Sequence, residues 1–438
     1  ETETDQQPLK IGTHQGAVIR TTDKSTQGHN AYYILEYPKG TASVLLRYGV
    51  SFISSEQAKQ NLRREIKNYN LQAVADKGRS VWNETLGKIF VKGGTENEKT
   101  VFYTSLYRTY ERMICISEDG RYFSAYDGQV HDDEGIPFYV DDWIWDTYRA
   151  THPLRLIIET EMESNMVNSL IRMAYQMQPN WMPTFPEING DSRRMNCNHG
   201  VATVLDAYNK GMRSFDLAKA YQVCKAAITE KTLAPWSSKP AGVLDQFYKD
   251  HGYFPALAVG EQETVPEVHS WERRQPAAVT LGTVYDEWCL GNIAQALGDK
   301  KEADYFLKRS LNYHKIFNKE TCFFHPKDSF GNFIQPFDYR YSSGVGGRDA
   351  YDENNGWVYR WDLPHNVADL VNMMGGKERF VEELERMYST PLGKGRPDFH
   401  HQFGDHTGNV GQFSMGNEPA MHIPYLYNYA GQPWRTQK

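Results

Sequence analysis

Four stretches of the chain gather side chains able to handle protons, sugars or cations, each where the surrounding helical patterning pauses. The first is Asp141-Asp142-Trp143-Ile144-Trp145-Asp146-Thr147-Tyr148-Arg149. Two indoles beside carboxylates and a guanidinium can stack on a sugar face and grip its hydroxyls. The same residues read equally as an acidic helix start with buried tryptophans. The second stretch, Tyr351 to Trp361, sets Glu353 among Trp357, Tyr359 and Trp361. Enclosure of that kind raises a carboxyl pKa and makes a general acid, the plainer reading being a loop carboxylate that caps the next helix. The third, Gly411 to Pro419, offers the Asn417 amide oxygen, the Glu418 carboxylate and loop carbonyls. These are hard oxygen donors of the type calcium takes, although the spacing is not that of an EF-hand and Pro419 equally suits a first helical turn. The fourth is Asp398-Phe399-His400-His401 with Asp405-His406. It could suggest a transition metal, but with no helix-spaced pair it reads as solvated loop histidines. A P-loop, a GxGxxG turn, a GxSxG elbow and HExxH are all missing from the sequence.

Positioning such groups takes a sizeable scaffold, and 438 residues suffice for one large domain or two ordinary ones. With 40% hydrophobic and 24% charged residues the composition is globular. A formal charge of −7 argues against a nucleic-acid binder, and no apolar run approaches a membrane span. Aromatics make up 13%, which suits sugar faces and cores alike. The five cysteines are dispersed without a CxxC pair, which argues against a zinc site or a disulfide scaffold.

Residues 31–54 read as short strands, Ala31–Leu35 and Val44–Tyr48, which must pair with further chain to be stable. Ser54-Ser55-Glu56-Gln57 starts a polar helix to about Asn68, and a second helical stretch carries Val81, Trp82, Leu86 and Ile89. Beyond Gly94 the apolar spacing predicts helices over 162–177, 201–208, 215–228, 277–297, 303–316, 367–374 and 379–388. Long loops rich in glycine, proline and aromatics join them. Many amphipathic helices with elaborate loops predict a mainly α helical toroid with its function on the loops at one end.

Together, several stretches resemble glycoside hydrolase family 92, the calcium-dependent exo-α-mannosidases. They are Phe102–Thr109, Trp145–Leu154, Asp206–Gly211, Glu353–Tyr359 with Pro364-His365, Gly416-Asn417-Glu418-Pro419, and Tyr425–Gln437, in the family's order. The resemblance implies an (α/α)6 barrel over 96–438, incomplete at its C-terminus. Ahead of it would come a helical linker over 55–95 and the last strands of a β-sandwich over 1–54. It also implies inverting release of terminal mannose. Glu353 falls at the general-acid position. Trp145, Asp146 and Arg149 fall in the sugar-gripping segment, and Asn417 and Glu418 in the segment at the calcium.

Met415, Ala420 and Met421 depart from the family's polar residues, and Gly282 stands where the family commonly has glutamate, as if to make room for something. The family's base aspartates lie in a segment beyond the point where this sequence stops, so the chain is expected to be the central part of a longer enzyme, a partner segment supplying the rest. The implied setting is periplasmic or extracellular, and the implied substrate an α-mannoside glycan. Two alternatives accompany this reading. One is a non-catalytic glycan-binding relative; the other is a hydrolase of the same fold acting on a different sugar.

Overall fold

The structure is a computed structural model and describes residues 1–4, 6–340, 349–392 and 408–438. It divides into two compact units, 1–107 with 118–123, and 108–117 with 124–438.

In the first unit, strands β1 (Thr2–Thr4), β2 (Lys10–Gln15), β3 (Val18–Arg20), β4 (Ala31–Glu36) and β5 (Val44–Leu46) form antiparallel pairs. One sheet has the order β3-β2-β4, in which Ile11 faces Leu35 and Thr13 faces both Tyr33 and Arg20, and β1 pairs with β5. The predicted strands at 31–35 and 44–48 are present, and three earlier ones join them. Helix α1 (Ser55–Glu65) begins where expected: the Ser54 hydroxyl accepts the Gln57 N–H at 3.1 Å. Its buried Asn61 donates to Glu118 at 2.6 Å, and Glu118 in turn accepts the Phe52 N–H at 2.9 Å. Helix α2 (Leu71–Leu86) buries no residue. Helix α3 (Glu96–Arg108) starts with reciprocal Thr95–Glu98 hydrogen bonds, a capping box.

The second unit is built of helical hairpins. A single turn, α4 (Ile144–Thr147), precedes α5 (Thr151–Ile158) and α6 (Thr160–Gln176). Next come α7 (Gly200–Asn209) with α8 (Leu217–Thr229), then α9 (Val243–His251), and α10 (Pro276–Ala296) with α11 (Lys300–Arg309). Short α12 (Gly356–Tyr359) leads to α13 (Val367–Met373) and α14 (Lys377–Ser389), and α15 (Leu426–Tyr429) and α16 (Pro433–Gln437) follow. Helices α5, α7 and α10 pack successively on one another, while α6 and α8 pack behind them. This alternation of inner and outer helices is that of an (α/α)6 toroid, as expected. Helix α10 is apolar on every side because it is buried on every side, from Pro276 in its first turn to Ala294. Its Gly282 answers what room was needed for: a Cβ there would collide with the Cys197 sulfur.

Candidate active site

In a toroid of alternating hairpins the inner helices run the same way, so the segments that lead into them gather at one end. Asp146 lies in α4 ahead of α5, Asn196 to His199 ahead of α7, Gln275 ahead of α10 and Glu353 ahead of α12. The second and third sequence stretches are laced together there by side-chain amides. Asn355 caps α12, its oxygen accepting the Trp357 N–H at 3.0 Å, while its NH2 donates to Gln412 at 2.9 Å. Asn354 donates to the Asn417 amide oxygen at 3.1 Å, and the Asn417 NH2 donates to Glu353 Oε2 at 3.0 Å and to Glu418 at 3.4 Å. Carboxylates accept, so this chain fixes which way the Asn417 amide faces: its nitrogen, not its oxygen, is turned to Glu353 and Glu418. The contact engages Glu353 Oε2 as an acceptor.

The first stretch joins the same cluster through Asp146. Burial pushes its carboxyl up, the Glu418 and Glu353 carboxylates push it further, and a hydrogen bond with Glu418 adds to that, to about 8. Three carboxyl groups from three distant segments thus share one pocket of charge, which favours either a bound proton or a cation. Among the described residues no three His, Cys, Asp or Glu side chains form a ready metal cage. A calcium ion would find hard oxygen donors in the hydrogen-bonded Glu418 and Asp146 carboxyls, while the predicted Asn417 oxygen is engaged by the Asn354 amide.

Trp145 is buried, and the Arg149 guanidinium lies 5.8 Å from its ring and 4.9 Å from that of Tyr148. Arg149 pairs with Asp362 at 3.6 Å and lines a cleft of ≈ 390 Å³ with Tyr148, Tyr285, Met421 and Tyr425. Of the departures from the family pattern, Met415 and Met421 are exposed and Ala420 is buried. The stretch from Asp398 to His406 lies outside the described residues.

Sequence reasoning missed the supports. Asp142 Oδ2 meets His152 Nε2 at 2.8 Å, His152 Nδ1 meets Glu163 at 2.7 Å, and all three are fully buried. Burial opposes charge on the imidazole, but Glu163 and Asp142 outweigh it and hold the ring up at about 10. The Thr147 hydroxyl donates to Asp142 Oδ1 at 2.8 Å, so this triad clamps the turn that carries Trp145 and Asp146. A second brace is Asp286 on α10, which accepts the Asn198 N–H at 2.7 Å and meets His199 Nδ1 at 2.8 Å. The visible signal for both was a histidine beside a helix start; its acidic partner lay elsewhere in the chain.

The fold and the site define a helical-toroid domain whose carboxyl groups converge on the loops at one end. The chain belongs to glycosyl hydrolase family 92: the family's catalytic-domain pattern matches residues 57–438. It is 25% identical over 451 residues to an uncharacterized secreted glycosidase of Arthroderma benhamiae, a match covering 94% of this chain and 49% of that one. A family GH92 inverting mannosidase of Bacteroides thetaiotaomicron is similar at TM-score 0.77 and 28% identity, over 100% of this chain and 57% of that one. A second α-mannosidase of the same organism has the same fold, at TM-score 0.78 and 23% identity, over 100% and 55%. The chain thus spans about half the length of the relatives it matches.

Proposed function

We propose that the chain carries part of the active site of an inverting exo-α-mannosidase that releases terminal mannose from glycans. The observation that carries this reading is the convergence of Glu353, Asp146 and Glu418, with the Asn417 N–H on Glu353 Oε2. Family membership and the inverting mannosidase it resembles support it.

Glu353 gives its carboxyl proton to the glycosidic oxygen as the bond from that oxygen to C1 breaks. Water attacks C1 from the opposite face and loses a proton to a carboxylate roughly 6.5–9.5 Å from the acid. Asp146 and Arg149 hold the terminal sugar's hydroxyls, and Trp145 backs them. Calcium, held by Glu418, would bind sugar hydroxyls and favour ring distortion; Asn417 orients Glu418 and Glu353. The setting is periplasmic or extracellular, in line with the secreted glycosidase it resembles. Among the described residues no helix is long and apolar enough to cross a membrane. Exposed Ile19, Tyr32 and Ile34 share one face of the β3-β2-β4 sheet, a surface that a partner segment would cover.

The test is mannose release from an α-linked mannobiose by the complete protein, with calcium and with EDTA, and calcium-dependent melting as a second readout. Release that EDTA abolishes supports the reading. Glu353→Gln should lower kcat on the mannobiose by about 10²–10⁴-fold while sparing an activated aryl mannoside, which needs no acid. Equal loss on both would remove Glu353 from the acid role. Sugar binding without release would transfer the chain to the glycan-binding reading.

A further inference from the structure

Non-glycine residues rarely adopt left-handed backbone, and such strain is over-represented at active sites and ligand clamps. Twelve described non-glycine residues do so, and seven sit in loops around the candidate site: Arg193, Met195, Cys197, Trp236, Arg273, Gln275 and Glu353. These loops are tied to one another. Buried Asn196 donates to Gln275 at 2.8 Å and to Asp352, beside Glu353, at 3.0 Å. Gln275 donates to Glu272 at 2.8 Å, and Arg273 is ion-paired with Asp349. The strain is thus concentrated in one connected rim that ends at Glu353.

That rim displays aromatic surface. Trp236, at φ 57°, keeps 37% of its surface exposed, and Trp271 keeps 46%. The His269 ring lies 5.2 Å from the Trp236 ring, and the Arg194 guanidinium 5.8 Å from it. His269 Nδ1 accepts the Trp271 and Glu272 N–H groups at 3.3 and 3.2 Å, so its ring hydrogen is carried on Nε2. His269 also lines a cleft of ≈ 460 Å³ with Arg273, Arg274, Phe337 and Asp349. That volume falls within the roughly 300–1,000 Å³ of small-ligand clefts. An indole held out by strained backbone and flanked by an imidazole and a guanidinium is the chemistry that receives a pyranose: apolar face on the ring, hydroxyls on the donors.

We propose that Trp236, with His269 and Arg194, is a stacking platform for the leaving-group side of the glycan, and that the adjoining cleft receives a further sugar. This deepens the mannosidase reading and rests on it. The platform selects substrates with sugars beyond the scissile bond over those with a small aglycone.

The experiment compares Trp236→Ala and Trp236→Phe with wild type in the full chain, using α-linked mannotriose and 4-nitrophenyl α-mannoside as probes. Loss of one stacking anchor should lower kcat/KM on the trisaccharide by roughly 10- to 30-fold more than on the aryl mannoside. Most of that loss should fall in KM, and phenylalanine should restore it. An equal change on both substrates, or no change, overturns the platform. If wild type turns over neither probe, the hydrolase reading has failed and calorimetry with mannotriose decides the platform separately. Binding weakened by Trp236→Ala sustains it; binding that is absent or unaffected overturns it.

Discussion

Asp142 and Asp146 lie one helical turn apart in sequence, the first fully buried and the second partly so, and their carboxyl groups are shifted in opposite directions. Asp142 suffers the full cost of burial, yet His152, charge and hydrogen bond together, brings it below the usual range. Asp146 is pushed up to about 8, first by burial and then by Glu418 and Glu353. The first cluster contains its own cation: an imidazolium between two carboxylates, with Arg155 adding positive charge nearby. The second gathers acids from three segments and leaves their repulsion to be relieved by a proton, or by whatever binds. A balanced cluster stiffens a fold, whereas an unbalanced one stores a demand for ligand. Within one turn the molecule makes a scaffold and then a site.

The sharpest way to break this comparison is to remove the cation from the balanced cluster. His152→Gln leaves Asp142 and Glu163 buried and facing each other across an amide, and should cost about 3–5 kcal/mol in urea unfolding at neutral pH. A loss below ~1 kcal/mol would show that the triad does not brace the turn. The pH dependence has a definite sign. The folded imidazole titrates at about 10, above its unfolded value of ~6.5. Its contribution is therefore complete below ~6.5 and is lost as pH rises through about 10. The stability gap between wild type and His152→Gln should shrink across that interval, and a gap that widened would refute the charge assignment.

What was legible in the sequence follows the same division. Local patterns were readable: Ser54 as a cap, the stripe that became α6, and α10 almost to the residue. Glu353, Asp146 and Glu418 stood out because they lie in short segments with distinctive neighbours, and the structure brings their charges to bear on one another. Pairings were not readable. Asn196 reaches Asp352 across 156 positions, and no periodicity records that. Helix α9 escaped notice because only Leu244 and Tyr248 are buried on it, too few to set a stripe. The strained backbone at Trp236 and Gln275 is imposed by tertiary ties, since neither residue type favours it locally. Gly282 was conspicuous in the sequence, but its partner Cys197 emerged only from the packing of α10 against the segment before α7.

A smaller and opposite effect belongs to the unbalanced cluster. Asp146→Asn keeps the shape of the side chain and removes its ability to ionise. The folded carboxyl titrates at about 8, above its unfolded value of 3.8. Its favourable contribution is complete below that unfolded value and is lost as pH rises through about 8, so at neutral pH the native state is already paying to keep Asp146 protonated. The amide escapes that cost, and in calcium-free buffer at pH 7 the variant should be more stable than wild type, on the order of 1–3 kcal/mol. The same substitution should weaken mannoside turnover in calcium, because the amide cannot release a proton and become charged when a cation binds beside it. Raising calcium should then narrow the stability gap, since a cation relieves in wild type the repulsion that the substitution removes. A variant less stable than wild type would mean that Asp146 is compensated as Asp142 is, and the distinction between scaffold and site within this turn would not stand.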